Sequence, residues 1–234
     1  MKKKIFIVIF SLISVTAAAF FIYTGIYCHA DATALTALKS DDAVQVTSTD
    51  FGYFFDGPSE SDVLIFYPGA KVEETAYAPL LHLIALQGMD VCLIKMPFRL
   101  AVFGLNRADR VIEKYDYTGL YIGGHSLGGA MAANYASTHS DELDGIVLLA
   151  AYSTADLDDS LKAITIYGSE DEVLNTAKMN ELKSCLPDGY REYVIEGGNH
   201  AQFGNYGIQS GDGEASVSSE EQQLKTAEYI LGIK

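Results

Sequence analysis

Short apolar runs alternate with helix-like segments along most of this chain, and this alternation is the feature that most restricts its fold. Each run is continuously apolar, as in strands that are buried on both faces of a sheet. The clearest runs are DVLIFYPG, DVCLIKMP, GLYIGGHS, DGIVLLAAY and LKAITIYG. Two further strands are expected earlier, at Ala43–Thr49 and Phe51–Phe55. The sequence therefore predicts an α/β domain with a mostly parallel central sheet and helices on both faces.

One of these runs ends in a serine between glycines. The stretch GGHSLGGAMAANYA places Ser126 after a predicted strand and before a helix of small residues. A serine on such a sharp turn needs a positive φ, which is tolerated mainly at functional sites. Gly124 and Gly128 allow the strand and the helix to pack closely there. This context predicts that Ser126 is a nucleophile on a strained elbow.

A serine nucleophile needs a base, and the base needs an orienting carboxylate. Among the five histidines, His200 is the one in a glycine-rich loop after a late strand, EGGNHAQFG. The acid should precede it at another strand end, where Asp171 in IYGSEDEV fits. Glu170 and Glu172 remain alternatives for the acid, because sequence does not fix the geometry of a loop. The predicted catalytic residues therefore follow the chain order Ser126, Asp171, His200.

Other residues are candidates for the surroundings of the nucleophile. The start of the helix points unpaired N–H groups at a reacting oxygen, so the N–H of Leu127 is expected to be one oxyanion donor. Ala70, directly after YPG at the end of an earlier strand, is the candidate for the second donor. Lys95, Arg99 and His125 are candidates to line the substrate site, and the two cations would attract an anionic substrate.

Several stretches in this order resemble the α/β-hydrolases, and in particular the bacterial group related to dienelactone hydrolases. They are YPGAKVEETAYAPL, IKMPFRLAVFG, GGHSLGGAMAANYA, YGSEDEVLN and GGNHAQFG, and the likeness covers roughly residues 43–232. The resemblance implies the α/β-hydrolase fold and a serine hydrolase of carboxylesterase type. Dienelactone hydrolases have a cysteine where this chain has Ser126, and that departure favours ordinary ester chemistry.

The resemblance also leads to expectations about the ligands. A small-molecule ester is the expected substrate, and the triad chemistry requires no metal and no organic cofactor. The segment between the strands that end near Tyr152 and begin near Lys162 is too short for a cap domain, so an open site that favours short-chain esters is expected. Two other classes stay open: acyl transfer on the same triad, and a non-catalytic surface module that retains the fold.

The N-terminus carries a different signal. Three lysines are followed by 24 uncharged, mostly apolar residues, Ile5 to Cys28. This is long enough to cross a bilayer as a helix. The rival is a secretory signal peptide cleaved after Ala17-x-Ala19, which would release a secreted protein. The expected arrangement is an uncleaved single-pass anchor in the cell membrane, with its lysines in the cytoplasm and the catalytic domain outside.

These signals divide the chain into a signal-anchor at 1–30, a polar tether at 31–42 and a catalytic domain at 43–234. Once the three N-terminal lysines are set aside, 13 basic side chains are balanced against 31 acidic ones. A body this acidic repels nucleic acid, so a nucleic-acid partner is not expected. The sequence does not indicate an oligomeric state.

Overall fold

The computed structural model describes residues 2–58 and 61–234, so Met1 of the predicted anchor lies outside the described residues. Eight strands form one sheet, and their bounds are β1 Gln45–Ser48, β2 Gly52–Asp56, β3 Asp62–Tyr67, β4 Asp90–Ile94, β5 Gly119–His125, β6 Gly145–Leu149, β7 Lys162–Gly168 and β8 Arg191–Ile195. The α-helices are α1 Lys2–Gly25, α2 Ala32–Ala37, α3 Ala78–Leu86, α4 Asp109–Ile112, α5 Leu127–Ala136, α6 Thr176–Glu181 and α7 Ser219–Leu231.

The sheet is mostly parallel, as the apolar runs predict. Its strand order is β1-β2-β4-β3-β5-β6-β7-β8, and the six strands from β3 to β8 run in the same direction. The early strand β2 pairs antiparallel with both β1 and β4. Because parallel strands end at one edge, the loops after β3, β5, β7 and β8 meet at the edge where ligands bind in open α/β sheets.

Helices cover both faces of the sheet, and each face has its own buried cluster. Leu64 and Phe66 of β3 point into the cluster that contains α3 and α7. Val63 and Ile65 of the same strand point into the opposite cluster, which contains α5. This alternation buries β3 on both faces, as its uninterrupted apolar sequence predicts.

The segment between β6 and β7, residues 150–161, contains turns and bends but no helix. Over the described residues, no cap domain is inserted there, in agreement with the sequence-based expectation.

The segment predicted as a polar tether has a defined structure. Residues 32–37 form α2, which begins at Asp31, whose side chain accepts a hydrogen bond from the N–H of Ala34. Ala34 is fully buried, and α2 contacts α3. Asp31 is also tied to the body, because its N–H donates to the carbonyl oxygen of Asn205. This part of the chain is therefore packed against the domain, since a small alanine in the middle of a short capped helix fits closely against a neighbouring helix.

The apolar N-terminal stretch forms a single helix. Within α1, the 21 residues Ile5–Gly25 form a candidate span, whose 18-residue apolar window has a mean hydropathy of 2.7 and is not buried by the rest of the protein. By length and composition this helix is able to cross a membrane, and a signal sequence would meet the same criteria.

Candidate active site

Ser126 occupies the turn between β5 and α5, where the sequence motif places it. It is the N-cap of α5, and its φ of 53° and ψ of −123° lie outside the regions that non-glycine residues ordinarily adopt. Such a conformation costs roughly 1–3 kcal/mol and is kept only where the surroundings enforce it. Here the N–H of Ser126 donates to the carbonyl oxygen of Leu149, and its own carbonyl oxygen accepts from the N–H of Ala130. The positive φ predicted for the serine is thus present.

The glycines on either side of the turn are required by close backbone approach. A Cβ on Gly124 or on Gly128 would collide with the carbonyl oxygen of Tyr67 at the end of β3. A Cβ on Gly128 would also collide with the carbonyl oxygen of Pro68. The turn at Ser126 therefore packs closely against the C-terminal end of β3, and the segment that contains Ala70 follows directly after that end. This packing explains in physical terms why the motif needs glycine at both positions.

His200 and Asp171 meet at the same edge of the sheet. The loop after β7 carries Asp171, the loop after β8 carries His200, and Nδ1 of His200 lies 2.9 Å from Oδ2 of Asp171. The imidazole is 2% exposed and the carboxylate side chain is fully buried. A buried carboxylate at this distance fixes the orientation of the ring and favours a proton on Nδ1.

The geometry of the loop distinguishes Asp171 from its acidic neighbours. Its second oxygen, Oδ1, accepts hydrogen bonds from the N–H groups of Val173 and Leu174, at 2.9 and 2.8 Å. Glu170 and Glu172 are exposed, and the carboxylate of Glu170 accepts from the hydroxyl of Ser169. Of the three acids, Asp171 is therefore the one whose carboxylate is held against the histidine.

Ser126 and His200 line one open cleft of about 350 Å³. Leu127, the first residue of α5, also lines it. Much of the remaining wall is apolar and comes from α5 and from the loops after β6 and β7, through Met131, Ala151, Val173 and Leu174. The arrangement brings a strained serine and a carboxylate-bound histidine to the same small cavity.

His125 lies outside this cleft, and its predicted place in the substrate wall needs correcting. The residue is the last of β5, and its side chain points into the core with 1% of its surface exposed. Its ring packs against that of His200, with 4.5 Å between centroids. Burial lowers the pKa of His125 well below 6.5, the nearby His200 lowers it further, and a hydrogen bond with the His200 backbone opposes the shift in part. His125 is therefore a neutral packing partner of His200.

Lys95 and Arg99 also lie away from the residues that line the cleft. The Nζ of Lys95 is 3.3 Å from the carboxylate of Glu74, and the lysine side chain is largely exposed. The guanidinium of Arg99 stacks on the ring of Tyr27, 3.4 Å from its centroid. Both cations interact with other groups of the protein, so the structure gives no support to their predicted role in attracting an anionic substrate.

Ala70 is half-buried in the turn that follows β3. The next residue, Lys71, has a φ of 57°, and its N–H donates to the carbonyl oxygen of Arg99. The preceding residue, Gly69, donates its N–H to the hydroxyl of Tyr77. Hydrogen bonds therefore hold both neighbours of Ala70, and the turn is well defined. The role of Ala70 as an oxyanion donor stays a prediction.

Sequence reasoning missed Asp212. Its carboxylate accepts hydrogen bonds from the N–H groups of His200 and Ala201, at 3.2 and 2.8 Å. The Nδ2 group of Asn199 donates to the carbonyl oxygen of Gly213, beside it. The glycine-rich segment after His200 thus folds back, and Asp212 in this segment fixes the backbone at His200 and Ala201 by hydrogen bonds. An acid between two glycines, SGDGE, is the signal that could have suggested such a contact.

Known structures share this fold. One is a monoacylglycerol lipase from Paleococcus ferrophilus, with a TM-score of 0.60 and 14% identity over 82% of this chain and 99% of that chain. Another is the carboxylesterase CesB from Bacillus subtilis, with a TM-score of 0.58 and 12% identity over 92% of this chain and 97% of that chain. A dienelactone hydrolase from Anabaena variabilis is also similar, with a TM-score of 0.55 and 14% identity over 81% of this chain and 98% of that chain. At such identities the likeness establishes the fold alone, and no curated protein matches the sequence.

The sequence itself matches a family model. The model describes the alpha/beta hydrolase family, and the match extends over residues 63–224. It begins in β3, ends within α7, and includes Ser126, Asp171 and His200. The match and the eight-stranded sheet lead to the same conclusion. This chain belongs to the alpha/beta hydrolase family.

Proposed function

We propose that the protein is a serine hydrolase that cleaves carboxylic esters through Ser126, His200 and Asp171. One observation carries the proposal: the histidine that is bonded to the buried Asp171 lines the same cleft as the serine on the strained turn. A nucleophile, its base and the group that orients the base are the parts that acyl transfer to a serine requires.

In the proposed mechanism each group has one role. With its Nδ1 proton directed at Asp171, the neutral ring of His200 has Nε2 free to take the proton of the Ser126 hydroxyl. The serine oxygen then forms a bond to the ester carbonyl carbon, and His200 returns the proton to the departing alcohol. Water, deprotonated by the same nitrogen, then attacks the acyl carbon. The bond from that carbon to the oxygen of Ser126 breaks, His200 returns the proton to this oxygen, and the acid is released. The N–H groups of Leu127 and Ala70 are proposed to stabilise the oxyanion of both tetrahedral intermediates.

The size of the cleft supports a short acyl group. A volume of about 350 Å³ lies at the small end of the range for ligand sites, and no cap closes it over the described residues. The apolar wall from Met131, Val173 and Leu174 suits a short hydrocarbon chain. The mechanism proposed here requires no metal and no organic cofactor.

We also propose that α1 stays attached as a membrane anchor, with residues 43–234 as the catalytic domain on the far side from the lysines. The helix runs without interruption through Ala17 and Ala19, where a signal sequence would be cleaved, and ends at Gly25. The C-terminal end of the helix is tied to the body: Thr24 is 5% exposed, and three residues after the helix the N–H of Cys28 donates to the carbonyl oxygen of Lys71. N-terminal sequencing of the protein extracted from membranes tests this, and a mature chain that begins at Phe20 would contradict it.

Hydrolysis of soluble p-nitrophenyl esters tests the activity. The purified full chain is expected to release p-nitrophenol faster from the acetate and butyrate than from long-chain esters. Ser126→Ala and His200→Ala should each lower the rate about 10³-fold or more while leaving the circular dichroism spectrum unchanged, because the members of a triad act as a unit. Activity that is equal in wild type and Ser126→Ala would place the nucleophile elsewhere.

A further inference from the structure

An exposed apolar surface lies on the loop after β4. It consists of Phe98, Val102 and Phe103, whose side chains are 43%, 48% and 52% exposed. Phe98 also has a φ of 53°, and the following Arg99 has a φ of 57°. A left-handed conformation is costly for a bulky residue. Exposed aromatic rings on a strained backbone add little to the free energy of folding. A surface of this kind is typical of a site that binds a partner.

The surface is continuous with the end of α1. The ring of Phe20 lies 5.1 Å from that of Phe98 and 5.8 Å from that of Phe103, and the ring of Phe21 lies 6.1 Å from that of Phe98, measured between centroids. Phe20 and Phe21 belong to the apolar span Ile5–Gly25. The loop therefore touches the part of the anchor that would lie inside a membrane.

The position of these contacts along the helix sets the depth of the loop. Phe20 precedes the end of the span at Gly25 by about 8 Å, at roughly 1.5 Å per residue. A helical span of 21 residues is about 32 Å long and fills the hydrocarbon core, which is about 30 Å thick, so Gly25 lies near the boundary with the headgroups. Rings in contact with Phe20 would then lie up to about 8 Å inside that boundary, among the upper parts of the acyl chains, a depth that the apolar faces of interfacial segments reach.

Cations and tyrosines surround the same place, in a body whose overall charge is strongly negative. The guanidinium of Arg99 lies over the ring of Tyr27, and the Nζ of Lys71 lies over that of Tyr23, 4.2 Å from its centroid. Lysines and arginines at a membrane surface are attracted by anionic lipid headgroups. The chemistry of this region therefore fits a lipid bilayer.

We propose that Phe98, Val102 and Phe103 form a bilayer-contact surface, which inserts into the leaflet that holds the C-terminal end of α1. The proposal rests on the proposed role of α1 as an anchor. It has a consequence for catalysis, because Arg99 accepts a hydrogen bond from Lys71, next to Ala70, and α5 contacts the turn at residues 101–103. The cleft is thereby held beside the headgroups, where esters that combine a short acyl group with a membrane-embedded alcohol become its substrate class.

Tryptophan fluorescence tests the contact directly, because the chain contains no tryptophan. Full-length Phe98→Trp and Phe103→Trp are reconstituted into phosphatidylcholine–phosphatidylglycerol vesicles, with and without phosphatidylcholine that is brominated near the carbonyl end of one acyl chain. Phe10→Trp reports on the anchor itself. Lys162→Trp is the control, because Lys162 is exposed at the start of β7, on the opposite edge of the sheet from the cleft.

Bromolipid is expected to quench Phe98→Trp, Phe103→Trp and Phe10→Trp at least twofold, and to leave Lys162→Trp unchanged. If Phe10→Trp is quenched while both loop reporters behave like Lys162→Trp, the bilayer-contact surface is disproved and the anchor stands. Absence of quenching in Phe10→Trp would disprove the anchor and the surface together. None of these readouts depends on catalysis, so they are separate from the test of the ester hydrolase.

Kinetics on two substrates test the consequence for catalysis. Val102→Ser combined with Phe103→Ser should lower the hydrolysis of a vesicle-borne acyl ester about fivefold or more. The hydrolysis of soluble p-nitrophenyl acetate should change less than twofold, which also shows that the variant is folded. An unchanged rate on the vesicle-borne ester, or an equal loss on both substrates, would contradict the assigned substrate class.

Discussion

The hydroxyl of Tyr77 lies 2.8 Å from Nδ1 of His125, and both side chains are buried. The same hydroxyl accepts a hydrogen bond from the N–H of Gly69. It therefore has its own proton to donate to Nδ1, which fits a neutral imidazole that carries its proton on Nε2. Through these two bonds Tyr77 connects the turn before Ala70 to the end of β5, directly before Ser126.

Tyr77→Phe is expected to lower kcat about tenfold with little change in KM, because the turn that carries the proposed oxyanion donor loses its support. Loss of the buried hydrogen bonds should also cost about 1–3 kcal/mol of unfolding free energy. Tyr117→Phe is the matched control: the hydroxyl of Tyr117 donates to Asp90 at the opposite edge of the sheet. An equal fall in kcat in both variants would show that the effect is general destabilisation.

Asp171→Asn is expected to lower kcat/KM at least a hundredfold, because an amide in place of the carboxylate favours the wrong tautomer of His200. Glu170→Gln and Glu172→Gln, which alter exposed acids in the same loop, should change it less than threefold. Steady-state kinetics of the three purified variants provide the comparison. If Glu170→Gln or Glu172→Gln proved the most damaging, the orienting acid would have to be reassigned.

Asp212→Asn is expected to lower kcat about tenfold. The carboxylate accepts from the backbone N–H groups of His200, Ala201 and Gly213, and an amide in its place would turn its own N–H toward at least one of these donors. Glu214→Gln changes an exposed acid two residues further along and should be without effect. Ester hydrolysis measured alongside thermal unfolding separates positioning from stability. A variant with full activity would mean that the loop does not position His200.

The stability of the domain should fall as the pH is lowered below about 6.5. His125 has a pKa well below 6.5 in the folded protein because of its burial, so below pH 6.5 the unfolded chain binds more protons than the folded one. Protonation then favours unfolding, by at most about 1.4 kcal/mol per pH unit for one group. Urea titrations between pH 7 and 5 give the free energy of unfolding at each pH. As the pH falls, this free energy should decrease less steeply in His125→Asn than in wild type, whereas His139→Asn should follow wild type. Parallel slopes in wild type and His125→Asn would exclude this origin.

The fold could be predicted from the sequence because its strands are written as uninterrupted apolar runs. DVLIFYPG and DVCLIKMP begin where β3 and β4 begin, and extend two and three residues beyond the ends of these strands. The helix at Ala32–Ala37 could not be recognised in the same way, because it is short and owes its position to packing on α3. A six-residue helix gains little from intrinsic propensity, so tertiary contacts decide whether it forms.

The candidate site was predictable where a residue type and a local turn together imply chemistry. Ser126 between glycines and His200 in a glycine-rich loop are such cases, and their catalytic roles stay predictions. Tyr77 and Asp212 bond to His125 and His200, which are 48 and 12 residues away in the chain. No local sequence motif indicates contacts between residues so far apart. His125 shows the converse limit: its position beside the serine suggested exposure, but alternation along β5 turns its side chain into the core.

The central claim is that Ser126 is a nucleophile activated by His200, and a serine-reactive fluorophosphonate probe tests it most directly. The wild-type full chain, extracted in mild detergent and digested after labelling, should carry the probe on the peptide that contains Ser126. Labelling should be lost in Ser126→Ala and strongly slowed in His200→Ala, while Lys162→Trp labels like wild type. Labelling of Ser126→Ala at the wild-type rate, or a probe attached to another residue in the wild type, would contradict the account.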